Sequence, residues 1–246
     1  MPARETEAII LKTFPLGEAD RLVSFFGRSS GRMRGVAAGA RRIKNHYGST
    51  LEILSHVQLW YVEKETRDLV RIQQCELLDS LNKSQSDYGL ATGLAAVSEI
   101  TELVLPEHEV SESMFRLILL TAREIERRAS WTLPLGYFTF WTVRLAGWFP
   151  RFDVCSTCGR VFGKENAYQA DWFPGLTCGD HRRSGMKTVS LAARELAEQF
   201  TRVSLDKLEL GAEFEQPIRE LREAGFNWIE HHAERRLRTR DMLETT

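Results

Sequence analysis

Residues 7–37 read EAIILKTFPLGEADRLVSFFGRSSGRMRGVA, and in that stretch apolar β-formers come in short runs cut by turn residues. The runs are EAIILKTF, RLVSFF and RMRGVAA; the cuts are Pro15-Leu16-Gly17 and Ser29-Ser30-Gly31. Isoleucine, valine and phenylalanine fit a pleated, half-buried surface, whereas proline and glycine punctuate it. Two further runs, LEILSHVQLWYVE and DLVRIQQCELL, follow the segment GARRIKNHYGS and are separated by Thr66-Arg67-Asp68. Five strands within residues 1–80 predict a small closed barrel. Among such barrels the five-stranded OB-fold is a frequent nucleic-acid binder, although other small barrels share the strand count.

After Ser80 the apolar period changes from two to about 3.6. Leu90, Leu94, Val97, Ile100, Thr101 and Val104 share one helical face, and Pro106 ends the run. Met114, Leu117, Ile118, Thr121 and Ile125 mark a second helix, with Ser111 and Ser113 as candidate N-caps. PLGYFTFWTVRLAGWFP, from Pro134, is apolar nearly all round and reads as a buried helix. Ser190 caps LAARELAEQFTRV, and a last helix is expected from about Gln216 to Leu243. The fold class is therefore α+β: an N-terminal barrel, then an all-α part carrying an inserted metal module.

That module is DVCSTCGRVF followed by LTCGDH. Cys155 and Cys158 form C-x-x-C closed by Gly159, and Cys178 and His181 repeat the spacing as C-x-x-H. Two such knuckles suit tetrahedral zinc, which takes thiolate sulfur and imidazole nitrogen. A disulfide is the competing reading. There is no signal peptide at MPARETEAII and no apolar run long enough to span a membrane, so a reducing cytoplasm is expected and zinc is preferred. An iron–sulfur cluster calls for four cysteines or another histidine pattern. Four protein ligands close the coordination sphere, so the expected zinc is structural rather than catalytic.

The 246 residues are 43% hydrophobic and 27% charged, with a net charge of -1, which alone predicts no nucleic-acid partner. The distribution says more. Arg21, Arg28, Arg32, Arg34, Arg41, Arg42 and Lys44 fall in a stretch, 21–51, that holds no acid. On a barrel, a glycine-punctuated loop carrying Arg41, Arg42 and Lys44 beside His46 and Tyr47 offers phosphate contacts and a ring for base stacking. The competing reading is a solvated basic loop with no partner. The C-terminal run with Arg235, Arg236, Arg238 and Arg240 is weaker, because Glu230 and Glu234 sit at helical spacing to neutralise it. Cys75 reads as a buried core thiol. No G-x-x-x-x-G-K-[ST], G-x-G-x-x-G, H-E-x-x-H or G-x-S-x-G is present, so a non-enzyme is expected.

In this order and length, EAIILKTFPLGEADRLVSFF, GRMRGVAAGARRIKNHYGSTLEILSHVQLWYVE and the paired knuckles resemble the bacterial recombination mediator RecO family. The most specific match is Gly39-Ala40-Arg41-Arg42 with Lys44, then Leu51-Glu52; Gly17-Glu18 and Asp20 supply its G-E-x-D. Ala38, Asn45 and His181 stand where the family often has lysine, serine and cysteine. The resemblance implies an OB-fold at 1–80, a helical domain at 81–150 and 188–246, and a zinc module at 151–187. It implies a protein of recombinational repair that binds single- and double-stranded DNA and anneals complementary strands. Its implied partners are RecR, the C-terminal tail of single-stranded-DNA-binding protein and, indirectly, RecA on gaps; the implied place is the cytoplasm, at the nucleoid. On the residues themselves, Arg28, Arg32, Arg34, Arg41, Arg42 and Lys44 are expected to neutralise phosphates and Tyr47 to stack on bases. A zinc-containing RNA-binding or transcription-associated barrel protein is the alternative, and an enzyme acting on nucleic acid the second.

Overall fold

The computed structural model describes residues 3–63, 68–80, 87–148, 151–170 and 173–245. Thr66 and Arg67 of the expected turn, the junction at 81–86 and the Phe149-Pro150 end of the apolar helical run lie outside them. Five strands, β1 (Arg4–Leu16), β2 (Asp20–Gly27), β3 (Gly31–Ala37), β4 (His56–Val62) and β5 (Val70–Asp79), close into a barrel of order β1-β2-β3-β5-β4. Antiparallel ladders join all neighbours except β3 and β5, which pair in parallel through Gly35–Val70, Val36–Arg71 and Ala37–Ile72. This closed barrel is consistent with the OB-fold expected from the sequence.

The unbroken run Ala8-Ile9-Ile10-Leu11 has a physical reason. Ala8 and Ile10 fill the barrel with Val23, Phe25, Val57, Leu59 and Ile72. Ile9 and Leu11 face the other way, into a second core with Phe26, Leu94, Val97, Phe115 and Ile118. A strand buried on both faces shows continuous rather than alternating apolar residues. A bulge between Ile10 and Lys12 then inserts one residue, so Lys12 and Phe14 face outward beyond it. The fourth strand begins at His56, later than the run LEILSHVQLWYVE suggests, and Leu51–Leu54 form a turn in which Leu54 has φ +56°.

Helices α1 (Tyr88–Val104), α2 (Glu112–Arg128) and α3 (Thr132–Leu145) follow. Asp87 caps α1 by accepting from the Leu90 N–H at 3.0 Å, and Ser111, not Ser113, caps α2 through Met114 at 3.3 Å. Residues Leu133–Phe140 are all buried, as their composition predicts. Then come β6 (Ala167–Ala170), β7 (Phe173–Thr177) and β8 (Lys187–Val189), a small antiparallel sheet of order β7-β6-β8. Ser190 caps α4 (Leu191–Arg202) by accepting from Ala193 at 3.1 Å.

The expected last helix is two: α5 (Glu215–Ala233) and α6 (Arg238–Glu244). Glu234, at φ +51°, ends α5 in the left-handed region. The C-terminal charges are also paired differently from the i, i+4 expectation. Arg240 crosses the break to Glu230 at 2.6 Å and Glu223 at 2.7 Å, and no carboxylate partner of Arg235, Arg236 or Arg238 occurs among the described residues. No helix among the described residues is long and apolar enough to cross a membrane.

Candidate nucleic-acid interface and metal centre

Gly39, at φ +71°, turns the chain out of β3 into the loop that carries Arg41, Arg42 and Lys44. Asp20 accepts the Gly39 N–H at 2.8 Å, so the G-E-x-D aspartate anchors the loop's start. Arg41 is exposed and donates to the Gly17 carbonyl at 2.6 Å, tying the loop to the β1–β2 turn. Asn45 accepts from the Tyr47 and Gly48 N–H groups, each at 3.0 Å, and donates to the Arg42 carbonyl at 3.0 Å. A side chain that bonds its own loop in this way replaces the missing ladder. Arg42 and Lys44 project from this braced tip, exposed and without a carboxylate partner among the described residues, and Ile43 between them is fully exposed.

The other expected phosphate contacts have partners from outside the acid-free stretch. Arg28 bonds Glu7 at 2.8 Å and Glu112 at 2.7 Å, and these carboxylates hold its guanidinium firmly charged. Arg32 donates to the Leu105 carbonyl at 2.8 Å, and Arg34 lies 3.0 Å from Glu107. Local absence of acids in sequence is therefore not absence in space.

Tyr47 is corrected. It is 2% exposed, packs inside the barrel and donates its hydroxyl to the Ile72 carbonyl at 3.1 Å; burial pushes its phenol up. A ring in that position offers no face to a base. Phe14, by contrast, is 50% exposed on the barrel's outer side. Its orientation depends on the β1 bulge, for which periodicity gives no signal.

The four knuckle residues come together. The thiol sulfurs of Cys155, Cys158 and Cys178 and a ring nitrogen of His181 all lie within 4.8 Å of one another. Gly159, at φ +75°, closes the first knuckle by donating to the Cys155 carbonyl at 2.8 Å, and Ser156 donates to Leu176 at 2.8 Å, locking the knuckles together. A one-turn 3-10 helix, Gly179–His181, brings His181 Nδ1 to 3.2 Å from Cys178 Sγ and 3.9 Å from Cys155 Sγ. Donors around a tetrahedral zinc are roughly 3.5–3.8 Å apart, given Zn–S near 2.3 Å and Zn–N near 2.0 Å. The set therefore fits a metal of that kind. Burial pushes the Cys155 thiol up, but the backbone N–H groups of Cys178, Cys158 and Thr157 outweigh it and bring it to about 6. Thiolate is the ligand form. Arg160 joins Asp180 at 3.0 Å to Glu165 at 3.1 Å and so pins the second knuckle from outside. Cys75 is buried in the barrel, as expected, and burial pushes its thiol up to about 11.

Residues 1–81 match the family model described as Recombination protein O N terminal, and residues 85–241 the one described as Recombination protein O C terminal. The chain is 33% identical over 241 residues to the DNA repair protein RecO of Koribacter versatilis (strain Ellin345), covering 98% of each chain. It is 32% identical over 251 residues to the DNA repair protein RecO of Syntrophobacter fumaroxidans (strain DSM 10017 / MPOB), covering 99% of this chain and 98% of that one. The two family matches take in the barrel with its braced basic loop and the helical part with its Cys/His centre, and the chain belongs to the recombination protein O (RecO) family of DNA repair proteins.

Proposed function

We propose that this protein is a non-enzymatic recombination mediator that binds single- and double-stranded DNA and anneals complementary strands. The observation that carries this reading is the loop tip, where Arg42 and Lys44 stand exposed and unpaired among the described residues on a turn held by Asn45 and Asp20. Cations held apart from any acid repel one another unless phosphate neutralises them. Annealing requires screening of phosphate repulsion between two strands and bases kept accessible, and neither demands a covalent catalyst.

On this reading Arg41, Arg42 and Lys44 make the main phosphate contacts. Arg28, Arg32 and Arg34 contribute less, because each exchanges an ion pair with a carboxylate for a phosphate, whereas Arg41 gives up only its bond to the Gly17 carbonyl. The Cys155, Cys158, Cys178 and His181 cluster holds one structural zinc, whose binding energy becomes folding energy for the half that contains it. RecR and the C-terminal tail of single-stranded-DNA-binding protein are the partners through which the protein assists RecA loading, in the cytoplasm at the nucleoid. The functional units are the barrel at 1–80, the helical part at 81–150 and 188–246, and the zinc module at 151–187.

The test is strand annealing of complementary oligonucleotides, naked and coated with single-stranded-DNA-binding protein, followed with and without the protein. Faster annealing of both, with no change in the strands themselves, is expected. Failure to bind or anneal either substrate overturns the reading.

A further inference from the structure

With Tyr47 inside the barrel, a stacking surface for single strands has to come from another ring. The outer face of β1, β2 and β3 carries one. Cross-strand pairing aligns Phe14 with Leu22 and Val36 in an apolar row, and aligns Lys12 with Ser24 and Arg34 in the adjacent row. Side chains on one face of neighbouring strands stand side by side, so these rows form a continuous strip. Phe14, Leu22, Lys12, Ser24 and Arg34 of this strip line a cleft of about 320 Å³ between the barrel and α1. Ser24 is 3% exposed, and its hydroxyl, lining that cleft, has no hydrogen-bond partner among the described residues. A buried hydroxyl left alone is uncommon and points to something that completes it.

We propose that Phe14 is a base-stacking platform, taking one base of a single DNA strand in this cleft, with Ser24 hydrogen-bonding the base edge. The inference rests on the DNA-binding reading above and adds the group that contacts bases. An exposed aromatic face beside cations is the combination that holds single strands without choosing sequence. Arg235, from the turn after α5, reaches the same cleft without a carboxylate partner among the described residues and serves the adjoining phosphate. Lys12 and Arg34 are already matched, by Glu102 at 2.8 Å and Glu107 at 3.0 Å. Base contact, not phosphate neutralisation, therefore dominates here, and this separates the cleft from the loop at Arg41–Lys44.

The experiment measures binding of the full chain to labelled oligothymidylate and to an abasic oligomer of equal length, across a salt titration. Phe14→Ala is expected to weaken oligothymidylate binding about tenfold. It leaves the dependence on salt and the thermal midpoint unchanged, because Phe14 is half exposed. Affinity for the abasic oligomer stays that of the parent, and Phe14→Trp restores binding to oligothymidylate. Parental binding by Phe14→Ala, in a protein whose Arg41/Arg42/Lys44→Ala variant has lost affinity, overturns the stacking inference and leaves the DNA reading standing. Equal weakening on both oligomers also overturns it, since no base is then involved. Absence of binding by the parent overturns both.

Discussion

Glu99, in the middle of α1, caps a helix that begins 139 residues later. Its carboxylate accepts the N–H of Arg238 at 3.0 Å, the N–H of Thr239 at 2.9 Å and the Thr239 hydroxyl at 2.8 Å. The first turn of α6 is thus satisfied by a residue from another helix, and the C-terminus is fastened to the helices that pack against the barrel. Glu99→Ala is expected to destabilise the protein by about 2 kcal/mol, since it strands the buried Thr239 N–H and hydroxyl and the part-buried Arg238 N–H, all of which bonded a charge. Urea unfolding measures it.

The same carboxylate has a pH signature. Burial pushes Glu99 up, but the N–H groups and hydroxyl of Arg238 and Thr239 outweigh it, so its folded value lies below the ordinary 4.5. A lowered folded pKa contributes stability that is present above the unfolded value and is lost as pH falls through the folded one. Glu99→Gln should therefore be less stable than the parent at neutral pH, and the gap should narrow as pH drops below about 4.5. Parallel unfolding curves at both ends would contradict this.

Tyr47→Phe should lower stability by about 1 kcal/mol and leave DNA affinity untouched. The change removes the donor to the Ile72 carbonyl inside the barrel and alters nothing on the surface. Denaturant unfolding and oligonucleotide binding, run side by side, separate the two effects.

Metal analysis of the purified protein should find close to one zinc per chain. Cys158→Ser should lose it and lower the thermal midpoint, because Cys155 and Cys178 sit in the core with Leu176 and Phe162 and cannot relax freely when the centre opens. A folded protein with reduced cysteines and no metal would refute the zinc assignment.

Replacing Arg41, Arg42 and Lys44 together by alanine should weaken single-strand binding and flatten the slope of log affinity against log salt. Each lost phosphate contact removes about 0.7 from that slope, so three remove roughly two units. The Arg41 bond to Gly17 is exposed, so the barrel should keep its thermal stability. An unchanged slope in a folded variant would make the stretch a solvated loop.

The sequence alone determined what local chemistry can encode. Apolar runs cut by turn residues gave the five strands, Ser111 and Ser190 marked helix starts, and two knuckles of fixed spacing named all four cluster residues, because each of these signals lies within a few residues of chain. It also fixed the G-A-R-R loop and, through it, the family. Only the tertiary structure decided which of the basic residues are spent internally: Arg28, Arg32 and Arg34 meet Glu7, Glu107 and Glu112, and Arg240 meets Glu223 and Glu230 across a helix break that periodicity does not register. The exchange of Tyr47 for Phe14 at the surface has the same cause. Which way a ring points follows from closing the barrel and from one bulged residue in β1, and both are set by long-range pairing that a linear pattern does not contain.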